Sequence, residues 1–147
     1  MTTISELMTR NPVSIGPYKT VMQAARLMDD LNVGALPVCH GFRLVGIITD
    51  RDITVRATAA GLNPASTEVD VIMSSRVRSC LQEHSAEDVL REMASVQIRR
   101  MPVLDGQGRL VGMISLGDLA ARRPEGVEVA LRRICTPAEP DRTALAA

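Results

Sequence analysis

One stretch of this chain occurs twice, and the duplication constrains the fold more than any other feature. Residues 44–53 (LVGIITDRDI) and 110–119 (LVGMISLGDL) each carry a glycine, two apolar residues, a threonine or serine and, three residues later, an aspartate. Each apolar run is short and bounded, which favours a buried strand. The hydroxyl residue can cap a helix, and the aspartate can accept a hydrogen bond from its backbone N–H. Each copy therefore predicts a strand that turns directly into a helix.

The surrounding sequence repeats with the same period. Pro37 and Pro102 lie 65 residues apart, whereas Asp52 and Asp118 lie 66 apart, so the register slips by one residue in a hairpin turn. This indicates an internal duplication of a β-α-β-β-α unit in an α+β fold. A lone unit would leave one face of its small sheet exposed, so we expect the repeats to pack through these sheets with pseudo-two-fold symmetry. The predicted parts are repeat 1 (4–61), a linker (62–68), repeat 2 (69–121), and a C-terminal helix with a frayed tail (122–147).

Turn and cap residues predict the elements within each unit. Short strands are expected at 13–15 and 77–80, and a hairpin turn at His40-Gly41. Thr20 is a predicted N-cap, and Ser85 with Asp88 predicts a capping box on the equivalent helix of the second repeat.

Composition excludes several classes of function. The 17 basic and 17 acidic residues cancel, which argues against non-specific nucleic-acid binding. No apolar run approaches the ~20 residues of a membrane span, and the N-terminus lacks a signal-peptide pattern. The three cysteines are odd in number and widely spaced, which fits a reducing cytoplasm. We therefore expect a cytoplasmic protein that contacts neither nucleic acid nor membrane.

The ordered set of motifs resembles a pair of CBS domains, the tandem unit called a Bateman module. The resemblance rests on Met-Thr and Met-Ser at 8–9 and 73–74, on the strands Leu-Pro-Val and Met-Pro-Val at 36–38 and 101–103, and on the two junctions described above. It covers residues 4–121. Residues 49–53, followed by Ala-Ala-Gly at 59–61, are similar to stand-alone bacterial members, including the hypoxic-response type.

The resemblance implies a non-catalytic regulatory module that binds an adenosine nucleotide, AMP-like, in clefts between the repeats. In the family, the aspartate of each junction holds ribose hydroxyls, the Thr or Ser contacts ribose or phosphate, and residues of the first strand and around the Pro-containing strand hold adenine. Carried over, the first site is Thr49, Asp52, Val13, Ser14, Ile15, Ala35 and Pro37. The second is Ser115, Asp118, Val77, Arg78, Ser79, Arg100 and Pro102. Arg51, Arg99 and Arg100 match positions that reach phosphate. The resemblance implies a homodimer and no cofactor.

The chemistry of these residue types agrees with that expectation. A carboxylate can accept two hydrogen bonds from vicinal hydroxyls, a helix N-terminus offers N–H groups to phosphate, and a guanidinium can clamp phosphate. The basic residues are divided, because Arg51 has Gly117 as its counterpart and Arg99-Arg100 has Gly34-Ala35. We therefore expect two sites that are not equivalent.

Other interpretations remain open at this point. The two junctions could be capping boxes without a ligand, in a dimeric scaffold that binds an unidentified protein effector. Cys39, Cys80 or Cys135 could act as a thiol redox sensor if positive charge lowered its pKa. Cys39-His40 with His84 fits no standard zinc spacing, and no catalytic constellation is recognisable. We predict neither a catalytic residue nor a metal ligand.

Overall fold

A computed structural model describes residues 2–122 and 125–136 of the chain. Residues 123–124 and most of the predicted tail, 137–147, lie outside the described residues. The elements are, in order, α1 (Ile4–Leu7), β1 (Thr9–Arg10), α2 (Val21–Leu31), β2 (Ala35–His40), β3 (Arg43–Thr49), α3 (Asp50–Asp52), a π-helix (Ile53–Thr58), α4 (Val69–Ile72), β4 (Cys80–Leu81), α5 (Ala86–Val96), β5 (Arg100–Leu104), β6 (Leu110–Ser115), α6 (Leu116–Arg122) and α7 (Val127–Cys135).

The predicted caps account for where the longer helices begin and end. Thr20 and Gln23 form a full capping box at the start of α2. The box predicted at α5 is only half formed, because Asp88 donates its N–H to the Ser85 hydroxyl while its carboxylate pairs with Arg91 at 3.1 Å. The residues that end α2 and α5 are also equivalent, since Asn32 and Gln97 both adopt left-handed φ angles of 54° and 59°.

Two antiparallel hairpins form the centre of the fold. β2 pairs with β3 in one sheet, and β5 pairs with β6 in the other. The second sheet has four strands in the order β1-β6-β5-β4. The strand predicted at 13–15 is reduced to an isolated parallel bridge between Ile15 and Val38, and the one predicted at 77–80 pairs only over Cys80–Leu81. The α+β fold with two repeats is confirmed.

The short helices α1 and α4 are exchanged between the repeats. The first backbone N–H groups of α1 donate to the carbonyl oxygens of His84 and Gln82, each at 2.9 Å. Those of α4 donate to the equivalent carbonyls of Lys19 and Pro17 at 2.8 and 3.0 Å. The segment after each helix then adds to the sheet of the other repeat, since β1 pairs with β6 and Ser74 bridges Ile47. Each repeat therefore completes the sheet of its partner.

The hydrophobic core follows the exchange rather than the order of the sequence. Ile4 and Leu7 of α1 are buried with α5, β5, β6 and α6, while Val69 and Ile72 of α4 are buried with α2, β2 and β3. Burying such a side chain contributes about 2 kcal/mol. A helix of four residues is unstable alone, so this burial and the backbone hydrogen bonds to the other repeat together hold α1 and α4 in place. The chain thus builds two cores that each require residues from both repeats.

The junction glycines permit this close packing. A Cβ on Gly46 would lie 2.6 Å from the Met73 sulfur and 2.9 Å from the Ser74 carbonyl oxygen. A Cβ on Gly112 would collide with the Met8 sulfur and lie 3.0 Å from the Thr9 carbonyl oxygen. The methionine and the glycine of the repeated motif are therefore partners, but each pair joins opposite repeats.

Candidate functional site

A cleft of about 650 Å³ lies between the two repeats. The first repeat supplies Ala35 at the start of β2, Ile47 on β3, and Thr49 to Arg51 at the junction with α3. The second repeat supplies the residues around the start of β5, including Arg99, Arg100 and Pro102. The segment after α4 adds Ser74 and residues 76–78 to the lining. The cleft exists only because both repeats are present.

Positive charge dominates the walls of the cleft. Five arginines line it, against a single carboxylate from Asp50: Arg51, Arg76, Arg78, Arg99 and Arg100. Arg78 lies 3.6 Å from the Glu92 carboxylate, in an exposed pair. The other four make no ion pair within the part of the chain that the structure describes. All five are exposed, and guanidinium groups gathered in one cleft favour an anionic ligand.

The cleft combines residues predicted for two separate sites. Thr49 and Ala35 belong to the first predicted set, whereas Val77, Arg78, Arg100 and Pro102 belong to the second. The basic residues expected on separate repeats, Arg51 on one side and Arg99-Arg100 on the other, share this one cleft.

The backbone N–H groups of the first junction already have hydrogen-bond acceptors. Asp52 donates its N–H to the Thr49 hydroxyl at 3.0 Å, and its carboxylate accepts the Thr49 N–H at 2.9 Å, so the predicted capping box is confirmed. The N–H of Asp50 donates to the Gly34 carbonyl at 2.9 Å, and that of Arg51 donates to the Asp50 carboxylate at 2.8 Å. The expectation of free N–H groups for a phosphate is therefore wrong here, because the N–H groups of Asp50, Arg51 and Asp52 all have acceptors.

The two junction aspartates do not line the cleft. The second carboxylate oxygen of Asp52 lies 3.7 Å from the Arg56 guanidinium, and the Asp52 side chain is 13% exposed. Asp118 accepts the Ser115 N–H at 2.9 Å in an equivalent capping box. A role for either aspartate in holding ribose stays a prediction.

The remaining predicted residues lie elsewhere. Ser14 and Ile15 line a separate cavity of about 360 Å³ beside α2. Val13 is half exposed, Pro37 is buried within β2, and Ser79 is half buried before β4.

Sequence reasoning missed several residues that line the cleft, namely Gly34, Ile47, Ser74, Arg76, Gln97 and Ile98. The signal for Ser74 and Arg76 was present, since they directly follow Met73 of the repeated motif. It could be interpreted only once the exchange of that segment was known.

Two further properties bear on the alternatives. Among residues 2–122 and 125–136, no group of three or more histidine, cysteine or acidic side chains is arranged to hold a metal ion. No helix in these ranges has the length and apolar character needed to cross a bilayer.

The comparisons with known proteins agree with the internal duplication. The sequence profile of the CBS domain matches residues 4–57 and 68–125. The CBS domain-containing protein YhcV of Bacillus subtilis is 42% identical over 123 residues, which cover 84% of this chain and 86% of YhcV. Hypoxic response protein 1 of Mycobacterium tuberculosis is 34% identical over 139 residues, 93% of this chain and 96% of that protein.

Solved structures show the same architecture. The crystal structure of Hypoxic Response Protein I with two coordinated zinc ions matches with a TM-score of 0.76 at 33% identity, covering 82% of this chain and 98% of that one. The CBS domain pair of protein MJ0100, in complex with 5-methylthioadenosine and S-adenosyl-L-methionine, matches with a TM-score of 0.72 at 25% identity, covering 82% and 94%. The chain therefore belongs to the CBS domain family and carries two CBS domains in tandem.

Proposed function

We propose that this protein is a non-catalytic regulatory module that binds an adenosyl nucleotide bearing phosphate, AMP-like, in the arginine-lined cleft. The observation that carries the proposal is the meeting of Arg51, Arg99 and Arg100 from opposite repeats in one cavity large enough for a nucleotide. The apolar side chains of Ile47, Val77, Ile98 and Pro102 supply a slot for a flat base.

Different side chains of the cleft suit different parts of a nucleotide. Because the N–H groups of Asp50, Arg51 and Asp52 already have acceptors, the guanidinium groups are left to hold the phosphate. Thr49 and Ser74 place hydroxyl groups in the lining, where they can form hydrogen bonds with a ribose. Asp52 does not line the cleft, so its predicted ribose contact requires its carboxylate to leave the Arg56 guanidinium, 3.7 Å away, when the ligand binds.

The charge of the cleft distinguishes between adenosyl ligands. The related CBS pair of MJ0100 was crystallised with two adenosyl compounds that carry no phosphate, which supports the adenosyl part of the proposal. Five arginines against Asp50 disfavour the cationic sulfonium of S-adenosylmethionine and favour a phosphate dianion. We therefore expect AMP to bind more tightly than S-adenosylmethionine.

Isothermal titration calorimetry with AMP, ADP, ATP, NAD and S-adenosylmethionine tests the proposal. The double variant Arg99→Gln/Arg100→Gln should weaken AMP binding by at least about tenfold, which is 1.4 kcal/mol. Arg91→Gln is the matched control, because Arg91 is an exposed arginine of α5 that does not line the cleft. If no nucleotide binds more tightly than about 1 mM, the sensor function is rejected.

Regulation would follow from the position of the cleft. A ligand that touches both repeats binds best at one relative orientation, and it shifts the population towards that orientation only if the affinities differ. We propose that a second copy of the chain, or a protein effector, responds to this change. Val55 and Val71 are 48% and 65% exposed on adjoining helices, which gives a homodimer an apolar surface to cover. Gel filtration showing a monomer would refute the dimer alone.

A ligand-free scaffold is the second candidate. The observation in its favour is that both capping boxes are complete without any ligand. The two candidates predict different results in a thermal shift assay. A melting temperature that rises with AMP concentration supports the sensor, whereas one that no nucleotide changes supports the scaffold.

A further inference from the structure

The two hairpins meet at equivalent arginines. Arg43 begins β3, and Arg109 lies 66 residues later, just before β6. The two residues face each other in an isolated antiparallel bridge. Since they are equivalent positions of a duplicated unit, the pseudo-two-fold axis passes between them. A cavity of about 510 Å³ opens at this contact, separate from the arginine-lined cleft.

Only one of these arginines has its charge neutralised. The Arg109 guanidinium donates to the Asp105 carboxylate at 2.8 Å. That carboxylate also accepts the backbone N–H groups of Gln107 and Arg109 at 2.9 and 3.0 Å, and it is 12% exposed. Asp105 is thus both the turn residue and the counter-ion of the second hairpin.

The first hairpin lacks this carboxylate. The residue equivalent to Asp105, 65 positions earlier, is His40. His40 lies edge-on to Tyr18, with ring centroids 5.6 Å apart. Over residues 2–122 and 125–136, Arg43 forms no ion pair. It lies opposite Arg109, whose charge Asp105 already neutralises, so Arg43 is the arginine of this pair that lacks a counter-ion among the described residues.

The cavity also has an apolar wall. Phe42 is 81% exposed and is the single phenylalanine of the chain, while Leu44 and Leu104 contribute aliphatic surface beside the arginines. Folding does not bury Phe42, so its ring is available to a ligand. A cationic group next to an uncovered ring suits a molecule that has an anionic head and a flat apolar body.

We propose that this cavity is a second binding site, for a small aromatic or heterocyclic phosphate, and that Arg43 is its principal anchor. The phosphate takes the place that Asp105 occupies in the other hairpin, and the ring of the ligand lies against Phe42. The site lies on the pseudo-two-fold axis, so it accepts a single ligand per chain. It does not depend on nucleotide binding in the arginine-lined cleft.

Phenyl phosphate is the probe, titrated by calorimetry and followed by the amide signals of Gly41 and Gly108 in the two hairpin turns. The unmodified chain should bind it with those signals shifting. Arg43→Gln should weaken binding at this site by at least about tenfold. His40→Asp should do the same, because it restores to the first hairpin the carboxylate that neutralises Arg109 in the second. Phe42→Ala should weaken phenyl phosphate but leave inorganic phosphate unchanged.

The double variant Arg99→Gln/Arg100→Gln separates this site from the cleft. Full retention of the hairpin signal changes in that variant, with loss in Arg43→Gln, supports the proposal. Loss in the cleft variant together with retention in Arg43→Gln overturns it, since the probe would then occupy the cleft alone. Absence of any shift at Gly41 and Gly108 in the unmodified chain also overturns it. Neither result bears on whether AMP binds in the cleft.

Discussion

Ile47 and Ser74 exchange two backbone hydrogen bonds, each 2.9 Å long, at the point where the chain crosses from one repeat to the other. Both residues also line the arginine-rich cleft. The same contact therefore holds an exchanged segment in place and forms part of the candidate binding site. A ligand in the cleft would touch the residues that join the repeats, which gives it a direct route to their relative orientation.

Substituting a junction glycine should weaken the packing of the exchanged segment and so destabilise the fold. We expect Gly46→Ala to lower the free energy of unfolding by about 1–3 kcal/mol, because its methyl group would overlap the Met73 sulfur and the Ser74 carbonyl. Urea denaturation measures the change. Gly106→Ala is the control, since a Cβ there meets nothing within 4 Å. Equal stability of both variants would contradict the packing described here.

Two equivalent arginines should stabilise the exchanged helices. The Arg56 guanidinium donates to the carbonyls of Ile72 and Met73 at 3.3 and 3.4 Å, and Arg122 donates to the Glu6 carbonyl at 3.1 Å. Replacing either by methionine keeps most of the aliphatic stem and removes the donors, so we expect the free energy of unfolding to fall by about 1 kcal/mol in thermal or urea denaturation. Arg56→Met also removes the pair with Asp52 at 3.7 Å, which Arg122 has no equivalent of among the described residues, so the loss in Arg122→Met is the cleaner measure.

Arg26→Met controls for the loss of a positive charge. Arg26 is exposed on α2 and makes no ion pair with another described residue. A loss in Arg26→Met as large as that in Arg56→Met would show that charge, rather than the bonds to the exchanged helix, is responsible.

Asp105 should make stability depend on pH in the acid range. The N–H groups of Arg109 and Gln107, together with the Arg109 guanidinium, hold the pKa of the Asp105 carboxyl below its ordinary value. A carboxyl with a lowered pKa in the folded state contributes stability above the unfolded-state pKa of about 3.9 and loses it as pH falls through the lowered value. The free energy of unfolding of Asp105→Asn should therefore be lower than that of the unmodified chain at pH 6. The two values should converge as the pH falls into the acid range. A constant difference would refute the assignment.

The cysteines should differ sharply in reactivity. Burial raises the pKa of the Cys39 thiol, partly offset by its hydrogen bond with Ser14. Burial and the Glu92 carboxylate raise that of Cys80 to about 12. Cys135 is exposed on α7. We expect one fast-reacting thiol in a thiol-labelling assay of the folded chain, lost in Cys135→Ser. Rapid labelling of Cys39 would revive the redox-sensor alternative.

Local sequence was enough to predict the hairpins, the junctions and most caps. The Thr49 and Ser115 capping boxes depend on residues three positions apart, and such contacts can be inferred from spacing alone. The predicted bond from the Ser85 N–H to the Asp88 carboxylate was wrong, because that carboxylate pairs with Arg91 one helical turn later. The β-α-β-β-α order was also predictable, because the 65-residue period fixed both copies at once.

The exchange of α1 and α4 could not be predicted in the same way. The hydrophobic pattern of a four-residue helix shows which face is apolar but not which residues cover that face. The same pattern is therefore compatible with packing on its own repeat or on the other one. The composition of the cleft depends on that choice. Arg51 and Arg99 were each identified, but their meeting in one cavity follows from how the repeats pack.

The exchange also bears on how such a chain could have arisen. The core around α5 is closed by Ile4 and Leu7, and the core around α2 by Val69 and Ile72, each pair supplied by the other repeat. An ancestral protein with one such unit would have left its core open as a monomer, and could have closed it by lending its first helix to an identical molecule. Gene duplication and fusion would then have converted an intermolecular swap into a covalent one.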